Sequence, residues 1–181
     1  GLTPEEITPE QIRNNCEVNL ILEIYEAAAM GDLDGNFGME EAGISCAAVA
    51  LDREPYTTEM LDWVYNTAAL SGNWYDDSTV MTGGDVGRML TEEVDRDGLG
   101  NEGSTSYNCL WEMYLLDMAD ALEGVEGYDL WENSQFVNMF TAFMRLTIDG
   151  AHTPLMHETS GLPQILPSYA NVERMTTAFI A

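Results

Sequence analysis

Two segments of the sequence bring short carboxylates within reach of a single point. Asp32-Leu33-Asp34-Gly35-Asn36-Phe37-Gly38 and Asp95-Arg96-Asp97-Gly98-Leu99-Gly100 each set Asp-x-Asp ahead of a glycine. Calcium is a hard cation that takes roughly six to eight oxygens, and alternate carboxylates on a tight turn supply several together. Asp32, Asp34 and Asn36 are the candidate ligands of the first segment, and Asp95, Asp97 and Glu102 those of the second. The same residues also suit a structural role, because Asp-Gly turns tolerate positive φ and cap the helix that follows. A third acidic group, Asp76, Asp77 and Asp85, lies in and beside a loop and would complete a site with one of the others only where the fold brings them together.

Both segments resemble the front half of an EF-hand or dockerin-type loop, over about a dozen residues each. The resemblance implies a calcium ion held between two helices. Counted from Asp32, the sixth place holds Phe37 where glycine belongs, and the twelfth holds Gly43. Counted from Asp95, Gly100 sits correctly at the sixth place, but Leu99 replaces the fifth ligand. Glu102 then takes the usual apolar eighth place, and Ser106 ends the loop. Neither segment supplies the bidentate glutamate, so calcium is expected only as a weak, millimolar-range ligand.

Other chemistry is thin. The two histidines, His152 and His157, lie beside Glu158, with no Glu-x-x-His pair on a helix to build a zinc or di-iron centre. A cysteine nucleophile needs a histidine partner, and Cys46 and Cys109 sit in apolar or aromatic runs that read as core. Three cysteines allow one disulfide with one buried thiol, or three buried thiols. No glycine-rich phosphate loop or nucleophile elbow is present, and no organic cofactor is expected. Trp63, Trp74, Trp111 and Trp131 read as core, with Trp74-Tyr75 the best candidate for an aromatic binding platform. Asp117, Asp120 and Glu123 read as a solvated helix face. The expectation is a protein that is not an enzyme.

The acid dominates the composition. The 181-residue chain carries 32 Asp and Glu against six Arg and no Lys, for a net charge of -26. Such a chain repels itself unless salt or bound cations screen it, and it avoids nucleic acid and anionic membranes. Two settings tolerate this, a divalent-rich exterior and a high-salt cytoplasm. Eleven Met, four Trp and many large aliphatics argue against the weakened core of an obligate halophile, so an extracellular or cell-surface location is expected. A first residue of Gly rather than Met reads as a processed chain or a fragment. No apolar run is long enough to span a bilayer.

The charge is also divided. Residues 1–132 hold 29 of the 32 acids and four of the six arginines. Beyond them, only Asp149, Glu158 and Glu173 face Arg145 and Arg174. The expected organisation is an acidic helical body, 1–149, and a near-neutral arm, 150–181. The arm carries Leu162, Ile165, Leu166, Val172, Phe179 and Ile180, the candidate self-association residues. It either folds back on its own body or docks on a neighbouring copy.

The elements that must position these groups are helical. Thr8-Pro9-Glu10-Gln11 has a capping hydroxyl, proline at the first position and an amide three residues on. It should open a helix from about Pro9 to Met30, stopped by Gly31, with Ile12, Cys16, Leu20 and Ile24, and Ile21 and Tyr25 beside them, as a core-facing stripe. Further helices are expected over about Met39–Leu51, from a Thr57 or Thr58 cap onward, Asp85–Val94, Tyr107–Leu122 and Ser134–Ile148. No strand alternation of useful length appears. The fold class is all-α, a compact bundle of five to seven helices with an irregular Pro- and Gly-containing C-terminal segment.

Three functions fit this pattern. The first is a surface structural protein that self-assembles into a homo-oligomer or polymer, its acid screened or bridged by cations. The second is a calcium-binding helical module. The third is an acidic mimic of nucleic acid, which the neutral arm fits poorly.

Overall fold

The computed structural model describes residues 7–30, 32–33, 38–65, 86–101 and 104–146, excluding the side chains of 105, 106, 143 and 144. Six helices stand among these residues. The one extended pairing among them is an isolated antiparallel bridge between Val94 and Gly100. Helix α1 runs without a break through Pro9–Cys16, a π-helical stretch Glu17–Leu22, and Glu23–Met30. Helix α2 is Met39–Leu51, α3 is Tyr56–Tyr65, and α4 is Val86–Arg88 continued by a π-helical turn, Met89–Glu93. Helix α5 is Thr105–Ala121 and α6 is Ser134–Leu146, preceded by the 3-10 turn Leu130–Glu132. The arm residues 150–181 and the expected 71–84 loop lie outside the described residues.

Local sequence explains the starts of these helices. The Thr8 hydroxyl accepts from the Gln11 N–H at 3.2 Å, and the Gln11 side chain accepts from the Thr8 N–H at 2.8 Å. Those two bonds satisfy donors that a helix terminus otherwise leaves bare. Ser104 caps α5 in the same way, accepting from Tyr107 N–H at 3.2 Å. Helix α3 begins at Tyr56, ahead of the expected threonine cap. Thr57 instead ties the corner together: its hydroxyl accepts from Arg53 N–H and donates to the Ala48 carbonyl.

Helix α2 packs against both α3 and α5. Trp111, Leu115, Leu116, Met118 and Ala119 of α5, and Leu122 just after it, are all buried. Helix α6 adds Phe136, Met139 and Phe140, and Trp131 packs edge-on against Phe136 at 5.1 Å. Each such fully buried large side chain contributes about 1.5–3 kcal/mol relative to exposure.

Helix α1 is where expectation and structure part. Ile12, Leu20 and Ile24 are exposed at 54%, 56% and 43%, so three members of the expected core stripe face solvent. Ala28 is buried, and Ile21 and Tyr25, the flanking members of the expected stripe, pack on the core with Leu22 and Ala29. The second set also recurs at helical spacing, and its alanines let α1 approach closely. Tyr25 meets Trp63 edge-on at 6.0 Å.

Candidate functional site

The Asp95–Gly100 segment folds as a tight turn closed on itself and clamped to α6. Gly98 N–H donates to the Asp95 carbonyl at 2.7 Å, and Asp95 N–H to the Leu99 carbonyl at 2.9 Å. Gln135 donates to the Val94 carbonyl and Asn138 to the Arg96 carbonyl, at 3.2 and 3.3 Å. Gly98 has φ +91, and a Cβ there would overlap the backbone carbonyl of Asn138. Only glycine fits both demands. Several carbonyls of this turn are therefore engaged by protein donors, while Asp95 and Asp97 are exposed.

In the other acidic segment Asp32 is also exposed, its N–H donating to the Ala27 carbonyl at the end of α1. Asp34, Asn36 and Glu102 lie outside the described residues, as do Asp76, Asp77, Asp85, Trp74, Tyr75 and both histidines. Among the described residues no three His, Cys, Asp or Glu side chains gather closely enough to hold a metal ion. Asp117, Asp120 and Glu123 are exposed, as a solvated face requires.

The three cysteines are free thiols. Cys16 and Cys109 are half-buried, but Cys46 is exposed, contrary to its expected place in the core. The alanine-rich run around it, Ala42 to Leu51, buries Ile44, Ser45 and Ala48 and turns Cys46 outward. Burial, with the Glu112 carboxyl second, pushes the Cys109 thiol up to about 12, so it stays protonated at neutral pH.

The interior holds polar groups that periodicity alone did not single out. Glu112 is 3% exposed, and its Oε1 has no hydrogen-bond partner among the described residues. Burial holds its carboxyl well above the usual carboxylate range. Asn108 lies one turn earlier on α5, with a buried Oδ1 that also has no partner, although its amide donates to Ser104 O at 2.7 Å. Ser45 Oγ on α2 is in the same condition. Glu41 is buried too, but its Oε2 accepts from Gly38 N–H at 2.9 Å. The signal for Glu112 was its position as the one charge in the run from Cys109 to Leu116.

The amino-terminal half of α1 is open to solvent. Every residue from Ile7 to Asn15 is exposed, and a groove of about 700 Å³ runs along Ile7, Gln11, Asn14, Asn15 and Val18. The first eight residues of α1, Pro9–Cys16, include none that is buried, so core packing does little to hold this end of the helix. Its apolar side chains are flanked by amides more than by carboxylates. From Ile7 to Leu22 the charges are Glu10, Arg13 and Glu17, and Glu17 is paired with Arg53 at 2.9 Å.

The chain matches no family model, no curated protein and no solved structure. Its function must therefore be argued from these surfaces. No helix among the described residues is long and apolar enough to cross a membrane.

Proposed function

We propose that this chain is a structural protein that associates with copies of itself, outside the cell or on its surface. In this reading the acidic body stays solvated and cations screen or bridge it, while contact is made where charge is sparse. The observation that carries it is the exposed apolar side of α1, Ile12, Leu20 and Ile24, which faces solvent on a chain of net charge -26. Two bodies of like charge approach most easily through surfaces that carry little of it. The near-neutral arm, with Leu162, Ile165, Leu166, Val172, Phe179 and Ile180, supports the same reading from sequence.

Calcium enters this proposal as a counter-ion for exposed Asp32, Asp95 and Asp97, one of several cations able to lower the repulsion. Static light scattering of the purified chain, with added sodium chloride or millimolar calcium chloride, tests the proposal. A mass that rises above one chain as the acid is screened supports it. A single-chain mass at every concentration of protein and salt overturns it.

A further inference from the structure

We infer that Glu112 keeps its proton inside the folded core and donates it to Oδ1 of Asn108, forming a pH-sensitive latch at the start of α5. Three buried side-chain oxygens lack a hydrogen bond among the described residues: Ser45 Oγ, Asn108 Oδ1 and Glu112 Oε1. The last two share α5 and lie four residues apart, the spacing that brings side chains together on one helix face. An ionised Glu112 would set two acceptors side by side with no donor, an arrangement that interiors rarely hold. A carboxylic acid has one donor to offer, and that proton satisfies both residues.

The other end of the amide fixes which atom is left for Glu112. The Ser104 carbonyl can only accept, and Asn108 Nδ2 donates to it at 2.7 Å, so the oxygen is the free end. Gly100 lies against that oxygen, because a Cβ there would overlap Asn108 Oδ1 and crowd the Trp111 ring. Asn108 thereby joins the cap residue of α5 and the end of the Asp95–Gly100 turn to Glu112. Burial, rather than a neighbouring charge, favours the neutral carboxyl. Around it, Asp95, Arg96 and Asp97 of the turn, Asp117 of α5 and Arg145 of α6 are exposed. Cys109 on α5 and Glu40 on α2 are half-buried, Glu41 is held by Gly38 N–H, and Cys46 is exposed. Losing the proton leaves two unpaired acceptors and a buried charge at this junction, so the latch opens as pH rises through the Glu112 titration.

The test is infrared spectroscopy and an NMR pH titration of the full chain and two full-length variants, each checked by circular dichroism for unchanged helix content. At neutral pH the wild type should show a protonated-carboxyl band at the frequency of a hydrogen-bonded acid, and Glu112→Gln should lack it. Asn108→Leu keeps the volume and removes the acceptor, so the same band should move to the frequency of a free acid. The Gly100 amide shift should follow the Glu112 titration in the wild type and lose that step in Glu112→Gln. A wild type without the band at neutral pH, or with it at the free-acid frequency, overturns the latch whether or not the variants fold. A band that Asn108→Leu leaves in place overturns it too, as does a Gly100 amide that ignores the Glu112 titration.

Discussion

Glu112 is a carboxyl buried with one oxygen unpartnered, and its burial makes the fold sensitive to pH. Its folded pKa lies above the ordinary value of 4.5, so the unfolded chain releases the proton first as pH rises. The stability this group contributes is therefore full below about 4.5 and is lost as pH climbs toward the folded value. Glu41 shifts in the same direction through burial, opposed by backbone N–H groups including that of Gly38. Urea unfolding should show stability falling as pH rises above about 4.5. Glu112→Gln should flatten that fall and add about 1–3 kcal/mol at neutral pH, because the amide carries no charge to desolvate. Glu126→Gln, on an exposed turn, should keep the wild-type slope. Equal slopes in all three proteins would assign the pH dependence to general repulsion instead.

Gly98 makes a second residue-scale prediction. Its positive φ and its contact with the α6 backbone leave no room for a side chain. Gly98→Ala should destabilise by at least about 2 kcal/mol in urea titration, through strain and displacement of α6. Gly124 also has positive φ, at +75, but nothing lies near its Cβ direction. Gly124→Ala should lose only about 1 kcal/mol. Similar losses at both sites would mean that the turn does not depend on its clamp to α6.

At the scale of the element, α1 shows which part of a helix sequence dictates and which part it leaves open. Its existence and its start follow from local chemistry, because Thr8 and Gln11 cap it. Its orientation does not follow, because two apolar sets coexist, one on Ile12, Leu20 and Ile24 and one on Ile21, Tyr25 and Ala28. Periodicity ranks both as core, and the choice is made by α2 and α3, whose Trp63 meets Tyr25. The π-helical stretch between them also shifts the phase that a regular helix would keep. Tyr25→Ala should therefore destabilise by roughly 2–4 kcal/mol, and Ile24→Ala by no more than about 0.5 kcal/mol, measured as urea midpoints in dilute protein. The reverse order would show that α1 faces the core with its other side.

The Asp95–Gly100 segment was legible as a turn, and its dependence on α6 was not, because Gln135 and Asn138 lie some forty residues away in sequence. The buried polar set escaped for a related reason. Glu112 reads as a surface residue by type, yet tertiary packing leaves it only 3% exposed.

For the whole molecule the question is how a chain of net charge -26 makes contact with anything like itself. Ion pairs give little help: the two described, Arg53–Glu17 and Arg88–Glu92, are partly exposed pairs of the kind worth about 0–1 kcal/mol each. The fold must hold by its apolar core, with salt relieving the repulsion around it. The sign of the salt effect on association then separates two mechanisms. Contacts made by opposite charges weaken as salt rises, and apolar contacts between like-charged bodies strengthen. The decisive measurement is sedimentation equilibrium of the full-length chain from low salt to molar sodium chloride, without divalent cations. Self-association that grows with salt is the expected result, and a chain that stays monomeric, or dissociates as salt rises, contradicts contact through an uncharged apolar surface.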